Sequence, residues 1–196
     1  PSYRRAGFAA FGVYLLGVVE TRIMLDGFKG LAACGGFSYG DVLGAGRGWA
    51  TSILERPWLR DAFAEFFARS DSFTLGACNG CQMLAQLKSL IPGAEHWPRF
   101  LRNRSEQYEA RLALLEVMPS PSVLLAGMVG SRIPVVVAHG EGRAAFAAAT
   151  DFASAQVALR SVAGAGRVAS AQPAHPYGPR SPLPWLTSRE GRVPIR

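Results

Sequence analysis

Short apolar runs alternate with amphipathic stretches over the first 143 residues. Leu31 to Cys34 is an apolar run that ends on Gly35-Gly36, the pattern of a buried strand entering a tight turn. Ser72 to Ala77 repeats the pattern and again ends on small residues. Ile133 to Ala138 carries three consecutive valines, which favour the pleated conformation, and Leu112 to Val117 reads as a fourth strand. Phe11 to Val19 is an apolar run that fits a fifth. Between these runs, Leu59, Phe63, Phe66 and Phe67 fall on one face of a helix. Cys81, Leu84, Leu87 and Ile91 do the same, with Pro92-Gly93 as the stop. Strands alternating with helices predict an α/β domain with a mostly parallel sheet flanked by helices.

The pattern fades after Arg143. Ala144 to Ala165 is rich in alanine, and residues 170–196 hold six of the 13 prolines. The expected organisation is a folded core over residues 1–143 and a divergent, loosely ordered, irregular tail over 144–196. Composition supports a folded chain: of 196 residues, 49% are hydrophobic and 18% charged. The longest apolar stretch, Ala6 to Val19, is too short for a membrane span and is broken by Gly7, Gly12 and Gly17. No membrane association is expected. The net charge of +7 gathers near the end, where residues 160–196 hold six arginines against the single carboxylate of Glu190. A basic tail, not a nucleic-acid interface, is the expectation, because no basic stripe interleaves with aromatics on a folded face.

Three cysteines are too few for a disulfide framework, and no second pair of ligands makes Cys78-x-x-Cys81 a zinc site. No metal is expected, and a reducing, cytoplasmic compartment is. Gly76-Ala77-Cys78-Asn79-Gly80-Cys81-Gln82 has the layout of a nucleophile elbow: strand, sharp turn, helix. Gly76 and Gly80 let the backbone pass closely around the turn that lifts Cys78 out of the sheet edge. A thiolate at a helix N-terminus is stabilised by the first backbone amides and the helix dipole. The same amides, starting with Asn79, can face an oxyanion, and one such donor is worth about 2.7–4 kcal/mol in a transition state. Two other readings stay open on spacing alone: Cys78 and Cys81 as small buried hydrophobes, or as a redox pair. A second glycine-rich turn, Gly35 to Gly48, lacks both the Gly-Lys-Ser/Thr ending of a phosphate loop and the Gly-x-Gly-x-x-Gly spacing of a dinucleotide turn. It can instead present amides to an oxyanion or an amide substrate.

The elbow resembles the Gly-x-Cys-x-Gly-x-Gln motif of the class I glutamine amidotransferases, whose fold is flavodoxin-like. More narrowly, GGFSYGDVLGAGRGWATSIL (35–54), GACNGCQM (76–83), WPRFLRN (97–103) and HGEGR (139–143) are similar to the C-terminal glutaminase domain of phosphoribosylformylglycinamidine synthase in its large, single-chain form. The resemblance runs from about residue 26 to 143. It implies that Cys78 attacks the side-chain amide of L-glutamine, forming a glutamyl thioester and releasing ammonia for purine biosynthesis. It further implies oxyanion-hole amides from Gly36 and Asn79, with Phe37 and Gln82 in the glutamine pocket. The implied partner is an ATP-dependent synthetase portion, in cis or in trans. ATP and Mg belong to that portion, and the glutaminase step itself takes no cofactor.

The family's Pro-His-Pro-Glu motif, which supplies the base and its carboxylate, has no counterpart here. Thr187 to Val193 resembles the segment leading into it, and the family's opening strand is not matched either. The expectation is a domain truncated at both ends, with turnover impaired for want of a base. His139 of His139-Gly140-Glu141, His175 and His96 are the other candidate bases. His139 matches a separate glycine-rich motif, Tyr177 stands where a carboxylate would follow His175-Pro176, and His96 reads as a packing histidine. Arg47 takes the place of a usually acidic residue. A non-catalytic glutaminase-like domain that docks on a synthetase, or a relic, is the alternative.

Overall fold

The computed structural model describes residues 2–21, 24–36, 44, 46–162 and 185–195. After α1 (Ser2–Arg5) and α2 (Leu15–Thr21), the first strand is β1 (Gly30–Ala33), followed by α3 (Arg47–Leu54) and α4 (Pro57–Ala68). Then come β2 (Phe73–Gly76), α5 (Asn79–Gln86), a 3-10 turn at Lys88–Leu90 and β3 (Arg99–Leu101). The second half holds β4 (Glu109–Val117), β5 (Arg132–His139), β6 (Arg143–Ala145), α6 (Ala149–Ser154), β7 (Gln156–Ser161), β8 (Trp185–Thr187) and β9 (Pro194–Ile195).

Seven strands form one sheet in the order β1-β2-β9-β8-β7-β4-β5, and β3 pairs with β6 apart from it. β1, β2 and β9 run parallel, whereas β9–β8, β8–β7, β7–β4 and β4–β5 are antiparallel. The α/β class holds, but the sheet among the described residues is mixed, not mostly parallel. The reason lies in the connections. β1 reaches β2 through two helices, as a parallel crossover requires, while β8 turns directly into β9 and β4 into β5 without a helix between them.

Each half of the sheet has its own core. Leu59, Phe63, Phe66 and Phe67 of α4 are all buried, as their spacing predicts, and pack with Ile53, Met83, Leu84 and Ile195 around the parallel strands. Each such side chain stabilises the fold by about 1.5–3 kcal/mol on burial. Pro57 opens α4 without loss, since its missing amide would have no intrahelical acceptor. The second core gathers Ala113, Leu115, Val117, Val137, Ala158 and Leu159 beneath the antiparallel strands. Past Arg143, where the sequence pattern fades, the chain supplies β7, whose Ala158 and Leu159 are among its most buried members.

One predicted strand is a helix. In Leu15–Thr21, Leu15, Val18 and Val19 face the core while Leu16 stays 65% exposed. That is the i, i+3, i+4 stripe of a helix, which a short all-apolar run conceals. Among the described residues no helix is long and apolar enough to cross a membrane.

Candidate functional site

Cys78 links β2 to α5 with φ 53° and ψ −118°, a backbone conformation that costs a non-glycine residue about 1–3 kcal/mol. Glycines on either side let the turn pack closely. A Cβ on Gly80 would lie 2.0 Å from the Ala33 carbonyl oxygen, so only glycine lets α5 start against β1. A Cβ on Gly35 would lie 2.8 Å from Cys78 Cβ, which places the turn after β1 directly beside Cys78. Gly36 follows with φ 120°, a conformation closed to L side chains. The Cys78 side chain remains exposed, whereas Cys81 is buried at 1% in the core. Burial of Cys81 on the apolar face of α5 makes it packing and sets aside a redox pair.

Asn79 is the first residue of α5, so its backbone amide stands at the positive end of the helix beside Cys78. The turn after β1 lies beside it, with Gly35 against Cys78. Phe37 lies outside the described residues. Gln82 is buried, and its side-chain Nε2 donates to the Glu141 carbonyl at 2.6 Å.

The opposite wall comes from the far edge of the sheet. The Cys78 thiol donates to the Ala138 carbonyl at 3.8 Å, although β5 stands five places from β2 in the strand order. The sheet therefore curls to bring the end of β5 back to the elbow. The following turn, residues 139–142, is fastened by Asn103, which sits just after β3 and is 5% exposed. Asn103 Nδ2 donates to the carbonyls of Gln107 (2.9 Å) and His139 (2.8 Å), and Asn103 Oδ1 accepts from the Gly142 amide at 3.0 Å. Its backbone amide also donates to the Gly140 carbonyl at 2.8 Å. The β3–β6 pair, with Phe100 opposite Ala144, clamps the two flanks of this turn together.

The described histidines are held by contacts of their own. His139 places Nδ1 3.0 Å from Asn103 Oδ1, and its ring lies flat against Gly142, where an added Cβ would approach three ring atoms to within 2.4 Å. The buried carboxylate of Glu109 is its cross-strand partner, but Ser105 Oγ and Arg111 already engage that carboxylate. His96 is half-buried, and burial lowers its affinity for a proton. The charged groups acting on it are Glu95, Asp151, Arg189 and Lys88, none of them at the elbow. His175 lies outside the described residues.

Two features of this site could not be read from spacing: the carbonyls of Ala138 and Glu141, and the Asn103 hub. Asn103 and the 139–142 turn stand 36 or more positions apart, so only the fold joins them.

Residues 2–196 match the family described as the CobB/CobQ-like glutamine amidotransferase domain. Among solved structures, the chain is similar to one titled "Structure of PurLQS from Thermotoga maritima". The TM-score is 0.63 at 24% sequence identity, over 88% of this chain and 69% of that one. At that identity the likeness establishes the fold.

Proposed function

The chain belongs to the CobB/CobQ-like glutamine amidotransferase domain family, and on that premise we propose that it is a glutaminase domain that supplies ammonia for purine biosynthesis. The observation that carries the reading is Cys78, an exposed thiol on a strained turn at a helix N-terminus. In this reading the Cys78 thiolate adds to the side-chain carbonyl carbon of glutamine. The amides of Gly36 and Asn79 receive the developing oxyanion, and collapse expels ammonia and leaves a glutamyl thioester that water hydrolyses. The domain's own step uses no metal or cofactor. Gln82 shapes the pocket through the Glu141 turn.

The motifs over residues 35–54, 76–83, 97–103 and 139–143 support phosphoribosylformylglycinamidine synthase as the parent activity, with the ammonia passed to an ATP-dependent synthetase portion. The similarity in fold to PurLQS is consistent with such a partner. The base is the remaining requirement. β9 pairs parallel to β2 with Ile195 level with Gly76, two residues ahead of Cys78. Residues that follow β9 in a longer chain would emerge beside the elbow, which is where a Pro-His-Pro-Glu segment would place its histidine.

Ammonia release from glutamine tests the reading. Residues 1–196 should turn over slowly, and continuing them with a Pro-His-Pro-Glu segment should raise the rate by about 10²-fold or more, the usual contribution of a general base. Cys78→Ala should abolish both activities. Ammonia release that survives Cys78→Ala would refute the assignment.

A further inference from the structure

We propose that Asn103 is a positioning residue: its side-chain amide fixes the 139–142 turn as a wall of the Cys78 site and holds a proton on Nδ1 of His139. The orientation of the amide follows from its partners. Nδ2 faces two carbonyl oxygens, those of Gln107 and His139, which only accept. Oδ1 faces the Gly142 backbone amide, which only donates. A flipped amide would set oxygen against both carbonyls and NH2 against an N–H, so the observed orientation is the one that satisfies all three. Oδ1 is thus an acceptor, and the 3.0 Å contact to His139 Nδ1 requires that nitrogen to be the donor.

The consequence reaches Cys78 through two backbone contacts on either side of the turn. On one side the Ala138 carbonyl accepts from the Cys78 thiol, and on the other the Glu141 carbonyl accepts from Gln82, four residues into the elbow helix. The turn between them has Asn103 beneath it, its side chain bonded to His139 and Gly142 and its backbone amide to Gly140. Asn103 is buried at 5%, so these bonds form away from competing water. Across the strand from His139 stands Glu109, which Arg111 engages. The geometry of the turn stands independently of the glutaminase reading; the effect on substrate rests on it.

Two substitutions separate the two roles. Asn103→Leu removes every side-chain hydrogen bond at similar volume. Asn103→Asp keeps an acceptor for His139 Nδ1 and Gly142 but sets its second oxygen against the two carbonyls. In the unsubstituted chain, the ¹⁵N resonance of His139 Nδ1 should report a protonated nitrogen. Asn103→Asp should retain that signature and Asn103→Leu should lose it, with exchange of the Gly142 amide faster by about tenfold or more in the Leu variant. Glutamine affinity, read by calorimetry, should fall by about tenfold in both variants, while iodoacetamide alkylation of Cys78 stays within about twofold of the parent, because the elbow itself is untouched. An unprotonated Nδ1 in the parent, or unchanged Gly142 exchange in Asn103→Leu, would overturn the proposal. Equal loss of alkylation and affinity would overturn it too, because Asn103 would then be supporting the fold at large. If the parent binds no glutamine, the glutaminase reading fails, and the nitrogen and exchange measurements still decide the role of Asn103.

Discussion

Around Cys78 the parallel strands and α5 meet with no spare room, whereas β4 and β5 pair over eight residues whose side chains alternate in and out. The parallel half concentrates what is unusual: a cysteine at φ 53°, and a glycine whose Cβ would strike the neighbouring strand. The antiparallel half is held by an ordinary core of Leu115, Val117, Val137 and Leu159. It reaches the site through the end of β5 and its turn. The difference suggests a division of labour. One half holds Cys78 on a strained turn, and the other supplies a wall beside it, so damage to the two should have different signatures.

Gly80→Ala should break the comparison hardest. A methyl group 2.0 Å from the Ala33 carbonyl cannot be accommodated without parting α5 from β1, at a cost of about 3 kcal/mol or more. Urea denaturation should show the loss, and alkylation of Cys78 should lose its native rate because the elbow is displaced. Leu115→Ala in the other core should cost a comparable amount, about 2–5 kcal/mol, since Leu115 is 1% exposed. Its alkylation rate under native conditions should nevertheless stay unchanged, since Leu115 belongs to the second core and not to the one around the elbow helix.

Cys78→Gly sharpens the point in the opposite direction. Relief of the strained backbone stabilises the fold by about 1–3 kcal/mol, against about 0.5–1 kcal/mol for the added freedom of glycine in the unfolded chain. The variant should therefore be inactive yet melt above Cys78→Ala, which keeps the strain. A lower melting temperature for the glycine variant would contradict stored strain at the elbow.

How much of this was legible in the sequence follows the same division. Gly76 to Gln82 announced the elbow because a nucleophile turn needs small residues at fixed spacing over a few positions. The α4 face and the valine-rich β5 were legible for the same local reason. The antiparallel arrangement was not, because strand direction depends on what each connection packs against, and Leu15 to Val19 hid its helical stripe in a run too short to show a period. Asn103 was present in a recognised motif, but its contacts to residues 139–142 exist only in the folded chain.

The smallest effect is at the start of β2, away from both halves of the site. Asp71 accepts from Arg69 at 2.9 Å and from Lys29, and the Arg69 hydrogen bond, followed by that of Lys29, holds its carboxyl well below the usual range. A folded value below the unfolded one gives a contribution that is present above about pH 4 and lost as pH falls through the folded value. The Asp71 and Lys29 side chains are more than half exposed, so the contribution is small. Asp71→Asn should lower the melting temperature slightly at pH 7, and the difference should vanish in strong acid without altering Cys78.

The most direct test of the account is the site of covalent capture by a glutamine-mimicking diazo-ketone, mapped by mass spectrometry of proteolytic peptides. The chain should be labelled at Cys78 alone, and added glutamine should slow the labelling. Label on Cys34 or Cys81, or labelling of Cys78 that is indifferent to glutamine, would contradict a glutamine site built on this elbow.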